Sequence, residues 1–220
     1  MVYSFFIILS NAIKKPDFLI QSRSHCVMSI EGKSVIFVLG GPGSGKGTQA
    51  IAISKKYSFG YASAGDLLRA EAANPNSPNG KRINEIISAG KIVPPELLVE
   101  TIRNAIISSP SKYFLLDGFP RSLAQDEKYC EQAGKPTACL MLDAPDEVLI
   151  NRLRKRGQNS GRSDDDDKVI PTRLESYRKE TVPVLERYEK EGLLRVINAD
   201  GTIEQVREEF ENVLHKFWTF

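Results

Sequence analysis

Residues 40–48 read Gly-Gly-Pro-Gly-Ser-Gly-Lys-Gly-Thr and follow the apolar run Ser34-Val-Ile-Phe-Val-Leu39. A buried strand, a glycine loop and a helix opening at Lys46 make a cradle for phosphate. Glycines let the chain curl so that successive N–H groups point inward, and the helix adds the positive end of its dipole. Gly43, Ser44, Gly45 and Gly47 supply this backbone, Lys46 reaches toward the outer phosphates, and Thr48 offers its hydroxyl to Mg²⁺ directly or through water. Only a nucleotide polyphosphate needs so much bare backbone at one point.

Asp117 closes a second apolar run and is followed by Gly118-Phe-Pro-Arg121. A carboxylate at a strand tip beside such a loop suits the waters of a bound Mg²⁺. The competing role is a turn or helix cap. Arg121 stands four residues on, with Gly118 and Pro120 shaping the turn, and its planar guanidinium matches phosphate oxygens two at a time. Arg156, Arg162 and Arg173 bracket a charged stretch further along, and Arg69 ends Ser63-Ala-Gly-Asp-Leu-Leu-Arg69. Singly, each reads as a surface charge. Grouped around a phosphate loop, they suit phosphoryl transfer between two nucleotides, whose mutual repulsion must be offset before they can approach in line.

These residues need a scaffold. Short apolar runs at Val35–Leu39, Phe59–Ala62, Tyr113–Asp117, Ala138–Leu142 and Leu194–Ile197 alternate with helical patterns. That alternation predicts an α/β P-loop three-layer sandwich, about five parallel strands with helices on both faces. Helices are expected from near Lys46, Asp66, Gly80, Pro95, Leu123 and Pro145. A long one runs from about Val169 to Glu191 with a bend at Pro183, and a last one from Ile203 to Phe217. In the last, Ile203, Val206, Phe210, Val213, Leu214 and Phe217 share one face, which reads as core packing. Two stretches exceed a minimal sheet: a helical excursion at residues 63–93 and a Gly- and charge-rich loop at 156–167. Such insertions at the mouth of a parallel sheet are where clamps and lids are built. The acidic run Asp164–Asp167 is expected to dock the lid by pairing with arginines, or else to be a solvated hinge.

Composition narrows the class. The chain has 220 residues, 41% hydrophobic and 26% charged, with a net charge of +2. Lys14, Lys15 and Arg23 against Asp17 account for that excess, so residues 28–220 carry 27 basic and 27 acidic side chains. A neutral body does not suit a nucleic-acid partner. Cys26, Cys130 and Cys139 lack metal-ligand spacing and read as reduced thiols of a cytoplasmic protein. Residues 1–27 form an N-terminal extension ahead of a domain at 28–220. Its apolar start, Val2–Leu9, is too short to span a bilayer and lacks a secretory pattern. We expect it to be disordered and dispensable, with a weak organellar presequence or initiation at Met28 as the other readings.

In order and spacing, the phosphate loop, Ser63-Ala-Gly-Asp-Leu-Leu-Arg69, Gly90-Lys-Ile-Val-Pro94, Asp117-Gly-Phe-Pro-Arg121 and Arg156-Gly-x-x-Ser-Gly-Arg162-Ser-Asp-Asp resemble the nucleoside monophosphate kinases. The resemblance spans roughly residues 33–218 and is closest to eukaryotic UMP/CMP kinases. It implies an acceptor-binding insertion at about 63–93 and a short lid at about 155–165. It also implies transfer of the γ-phosphoryl group of Mg·ATP to UMP or CMP, or their deoxy forms, by a monomeric enzyme of the cytoplasm and nucleus with no membrane partner. By the same resemblance, Arg156 and the backbone at Gly201 would contact the donor nucleotide. Arg69 and Arg121 would hold the acceptor phosphate, Gly118, Phe119 and Pro120 would belong to the acceptor-binding residues, and Arg162 and Arg173 would bridge the reacting groups. Lys91, Ile92, Val93 and Gln125 would line the acceptor base. Ala64 matches the uridylate–cytidylate type, where adenylate kinases usually have Thr, whereas Gln125 is usual in adenylate kinases. A primary amide is both donor and acceptor, so by flipping it could serve several bases. Adenylate kinase is therefore the alternative. A GTPase-like switch lacks its Asn-Lys-x-Asp motif here.

Overall fold

A computed structural model describes residues 30–160 and 162–217; the expectations for residues 1–27, Cys26 included, fall outside them. Five parallel strands, β1 (Ser34–Gly40), β2 (Gly60–Ser63), β3 (Tyr113–Asp117), β4 (Ala138–Asp143) and β5 (Leu194–Asn198), form one sheet in the order β2-β3-β1-β4-β5. β1 lies at its centre, with Ile36 opposite Leu115 on one side and Ala138 on the other.

The period-two alternation of β1 feeds two cores. Val35, Phe37 and Leu39 face one side with Phe114, Leu116, Cys139 and Met141, while Ile36 and Val38 face the other with Leu115, Leu140, Leu142 and Ile197. Helices α1 (Lys46–Tyr57) and α9 (Ile203–Phe217) cover the second face with Ala50, Ile53, Val206, Phe210 and Leu214. The first is covered by α2 (Ala64–Ala73), α3 (Gly80–Ser88), α4 (Val99–Ser108), α5 (Leu123–Ala133) and α8 (Val182–Lys190). Phe37 is fully buried and meets Phe119, Tyr129 and Tyr188 edge-on at 5.2–6.0 Å, tying β1 to α5 and α8. Truncating such a ring costs about 3–5 kcal/mol. A third cluster joins α6 (Asp146–Ser160) to α7 (Ile170–Ser176) through Leu149, Leu153, Ile170 and Leu174.

Four expectations change in detail. Pro95–Leu97 is a 3₁₀ turn, and α4 starts only at Val99. α6 continues through Arg156 to Ser160, where a loop was expected, because Gly157 lets the 3₁₀ turn Ser163–Asp165 pack against the helix: a Cβ there would lie 3.0 Å from the Asp165 carbonyl. The bend expected at Pro183 is a five-residue π turn, Tyr177–Thr181, between α7 and α8. Pro183 has no N–H to give Lys179, and the chain widens so that Val182 N–H donates to the Tyr177 carbonyl five residues back. In α9, Ile203 is exposed rather than buried, since the first residue of the helix stands a turn ahead of Val206, where core contact begins.

Candidate active site

In register, Val38 pairs with Asp117. The chain therefore leaves β1 as the phosphate loop directly beside the point where it leaves β3 as Asp117–Arg121. This is the crevice at the strand C-termini where open parallel sheets bind ligands. Positive φ values at Gly43 (+87°) and Gly45 (+89°) curl the loop, and a Cβ on Gly43 would lie 2.5 Å from the Leu149 carbonyl. No side chain caps α1, so its first amides stay available to an anion.

A cleft of about 360 Å³ opens here. Gly43, Gly45, Lys46, Gly47 and Thr48 line one end; Ala64, Leu68, Lys91, Ile92, Val93 and Gln125 line the other. Asp117, Gly118, Arg69, Arg121, Arg156, Arg162 and Arg173 stand between. Ser44, Phe119, Pro120 and Gly201 do not line it. Ser44, Phe119 and Pro120 are buried beneath, Phe119 in the aromatic core. Gly201 lies on the loop before α9, which Arg152 holds through the Ala199 and Gly201 carbonyls (2.8 and 3.1 Å) and Gln49 through that of Ile203 (2.9 Å). Sequence reasoning missed Arg152 and Gln49, since nothing local links them to that loop.

Lys46 donates to the carbonyls of Gly40 and Gly41 at 2.9 and 2.8 Å. Burial brings its ammonium down to about 7, against the opposing pull of Asp117. Burial likewise lowers Arg121 to about 10, with Arg173 adding to it, so Arg121 is cationic at neutral pH. Asp117 is raised by burial, which Lys46 and Arg121 counter, and Tyr61 donates its hydroxyl to it at 3.2 Å. It is no helix cap: Ser122 caps α5, accepting from Gln125 N–H.

The acidic run pairs with arginines, as expected of Asp164 and Asp165. Arg156 grips Asp165 with two bonds of 2.6 and 2.7 Å, and Arg173 reaches both Asp165 and Asp164. Burial alone would raise the Asp165 carboxyl, but these two guanidinium groups hold it below its ordinary value. Asp166 and Asp167 are exposed, with Asp167 paired to Arg154. Across the cleft, Asp66 accepts from Arg69 and Arg162, joining residues 63–93 to the lid.

Gln125 differs from expectation. It is buried, with Oε1 accepting from Arg121 N–H at 2.8 Å and Nε2 donating to the Val93 carbonyl at 2.7 Å. A fixed donor on one side and a fixed acceptor on the other prevent it from flipping to suit different bases. Its bond to Arg121 is a variant of the capping box, legible in Ser122-Leu-Ala-Gln125.

Among the described residues, no group of three or more His, Cys, Asp or Glu could hold a metal ion. Thr48 and the buried carboxylate of Asp117 fit Mg²⁺, which keeps several waters and takes one or two protein oxygens beside phosphate.

A five-stranded parallel sheet covered on both faces, with a glycine loop feeding a central helix, defines a P-loop nucleotide-binding protein. The family model "Adenylate kinase" matches residues 38–193. Adenylate kinase isoenzyme 1 of Homo sapiens is 45% identical over 174 residues, covering 78% of this chain and 89% of that protein. The Gallus gallus isoenzyme is 42% identical over 184 residues (83% and 94%), and the UMP-CMP kinase of Lentinula edodes 40% over 195 residues (83% and 86%). The chain belongs to the adenylate kinase family, and it is an ATP-dependent nucleoside monophosphate kinase.

Proposed function

We propose that this kinase phosphorylates a pyrimidine nucleoside monophosphate, UMP or CMP. The observation that carries the phosphoryl-transfer part of this reading is the gathering, in one cleft, of the phosphate loop, Lys46 and arginines from four separate segments. ATP would lie along residues 43–48 with Arg156 at its phosphates. The acceptor phosphate would lie between Arg69 and Arg121, and Arg162 and Arg173 would bridge donor and acceptor. An ionised oxygen of the acceptor phosphate forms a bond to the γ-phosphorus while the bond to the β–γ bridging oxygen breaks, releasing ADP. No general base is needed, because the attacking oxygen is already ionised. Mg²⁺ held near Thr48 and Asp117 would supply charge neutralisation. The cations position the two nucleotides and stabilise the charge that spreads in transfer, and closing the lid excludes water.

The pyrimidine preference draws support from Ala64, buried in the wall with no hydroxyl to offer a base. A second reading, AMP as the main acceptor, is favoured by the 45% identity to adenylate kinase isoenzyme 1. Initial rates with UMP, CMP and AMP at matched Mg·ATP separate them. We expect UMP and CMP to exceed AMP in kcat/KM, and a strong preference for AMP would replace this reading with the second.

A further inference from the structure

The π turn at Tyr177–Thr181 lies against the acceptor end of the cleft, where Ser176, Tyr177 and Thr181 all line the wall. Two side-chain hydroxyls flank it on the cleft side, Ser176 at the end of α7 and Thr181 at the end of the turn. Thr181, buried, donates to the Arg121 carbonyl at 2.8 Å, and Ser176 donates to the Gly90 carbonyl at 3.3 Å. In a regular α-helix, residues five apart point about 140° away from each other. Closing five residues in a single hydrogen-bonded turn brings them to one side instead. Pro183 is the cause, because the α pattern cannot run through it.

The Thr181 bond continues inward. Arg121 gives its own N–H to Gln125 Oε1, and Gln125 Nε2 donates to the Val93 carbonyl. Three hydrogen bonds thus link the π turn to Arg121, Arg121 to Gln125 and Gln125 to Val93; the last two share one side-chain amide and polarise each other, while the first acts on the second by fixing the backbone of Arg121. Gly90, held by Ser176, opens the segment that leads to Val93. A Cβ at Gly90 would lie 2.9 Å from Val169, so α7 and this segment are in close contact. We propose that Thr181 is a positioning residue for the acceptor nucleotide: through the Arg121 carbonyl it sets the phosphate-binding guanidinium and the base-facing amide in one register, with Ser176 bracing the other wall. This rests on the cleft end at Arg69, Arg121 and Gln125 being the acceptor site.

Thr181→Val keeps the shape and removes the hydroxyl. Loss of one buried hydrogen bond predicts an acceptor KM about tenfold higher, with the ATP KM within twofold of wild type. Thr181→Ser, which keeps the donor, should restore the wild-type KM, and Ser176→Ala should raise it about threefold. Arg69→Met serves as the reference, measured with whichever monophosphate the wild type turns over best. If Arg69→Met leaves the acceptor KM unchanged, the assignment of the site fails. If it raises that KM while Thr181→Val does not, or if Thr181→Val raises both KM values equally, only the positioning role fails. Should Thr181→Val not fold, the Ser176→Ala and Thr181→Ser values decide: a wild-type KM in the first or a raised one in the second overturns the proposal.

Discussion

Lys46 shows how much of this site is one side chain's solvation. In water its ammonium would be fully protonated at pH 8; here burial lowers it to about 7. A polyphosphate beside it reverses the balance by favouring the charged form. ATP binding should therefore take up protons between about pH 7 and pH 10, and the affinity should fall as pH rises through that window. Below pH 7 the ammonium is already charged and its uptake vanishes. Calorimetry in buffers of different ionisation enthalpy measures this directly. Lys46→Met should abolish the uptake and lower kcat by about a thousandfold or more while leaving the melting temperature near wild type, since the side chain bonds only within its own loop. An unchanged proton uptake in Lys46→Met would remove Lys46 from the assignment.

At the scale of elements, the short 3₁₀ turn Ser163–Asp165 decides how the lid rests. Asp165 is the knot: its carboxylate, with no exposed surface, holds Arg156 from α6 and Arg173 from α7. Its carboxyl is depressed in the folded protein, so its contribution to stability is complete above the unfolded value near 4 and is lost as pH falls through the lower folded value. Asp165→Asn should lower the melting temperature at pH 7, and the gap to wild type should narrow as both are titrated from pH 5 toward pH 3. A constant gap would mean that the charge is not what Asp165 contributes. This turn also explains a difference from sequence reasoning. Residues 156–160 read as loop because Gly157 and polar neighbours weaken a helix, yet the tertiary grip of Asp165 on Arg156 prolongs α6 through them.

For the whole molecule, the cleft is a joint between three bodies: the sheet with its phosphate loop, the helices of residues 63–93, and the lid. Asp66 is shared by Arg69 and Arg162, so the latter two already touch. A bisubstrate analogue, with two nucleosides joined through a polyphosphate, would engage all three together. At a thousandfold excess over Kd it should stabilise the fold by about 4 kcal/mol, raising the melting temperature by about 8–16 °C for a chain of this size. The shift should be larger with uridine than with adenosine at the acceptor end. Arg173→Met should remove most of it; a full shift in that variant would show that the guanidinium does not meet the bridging phosphates.

What the sequence determined alone was whatever depends on neighbours along the chain. Alternation in Ser34–Gly40 sets the two faces of β1, and glycines 43 and 45 set the loop curl. The motifs could also say that cations gather, because their types and order are local facts. Only the tertiary structure decided which partners they meet. It put Phe119 and Pro120 in the core, fixed Gln125 between Arg121 and Val93, gave Asp165 to two arginines at once, and turned the bend before Pro183 into a π turn facing Arg121. Each is a contact between different elements of the fold, some of them, such as Thr181 with Arg121, far apart in sequence. Its geometry follows from how the helices pack on the sheet, and no spacing along the chain encodes that.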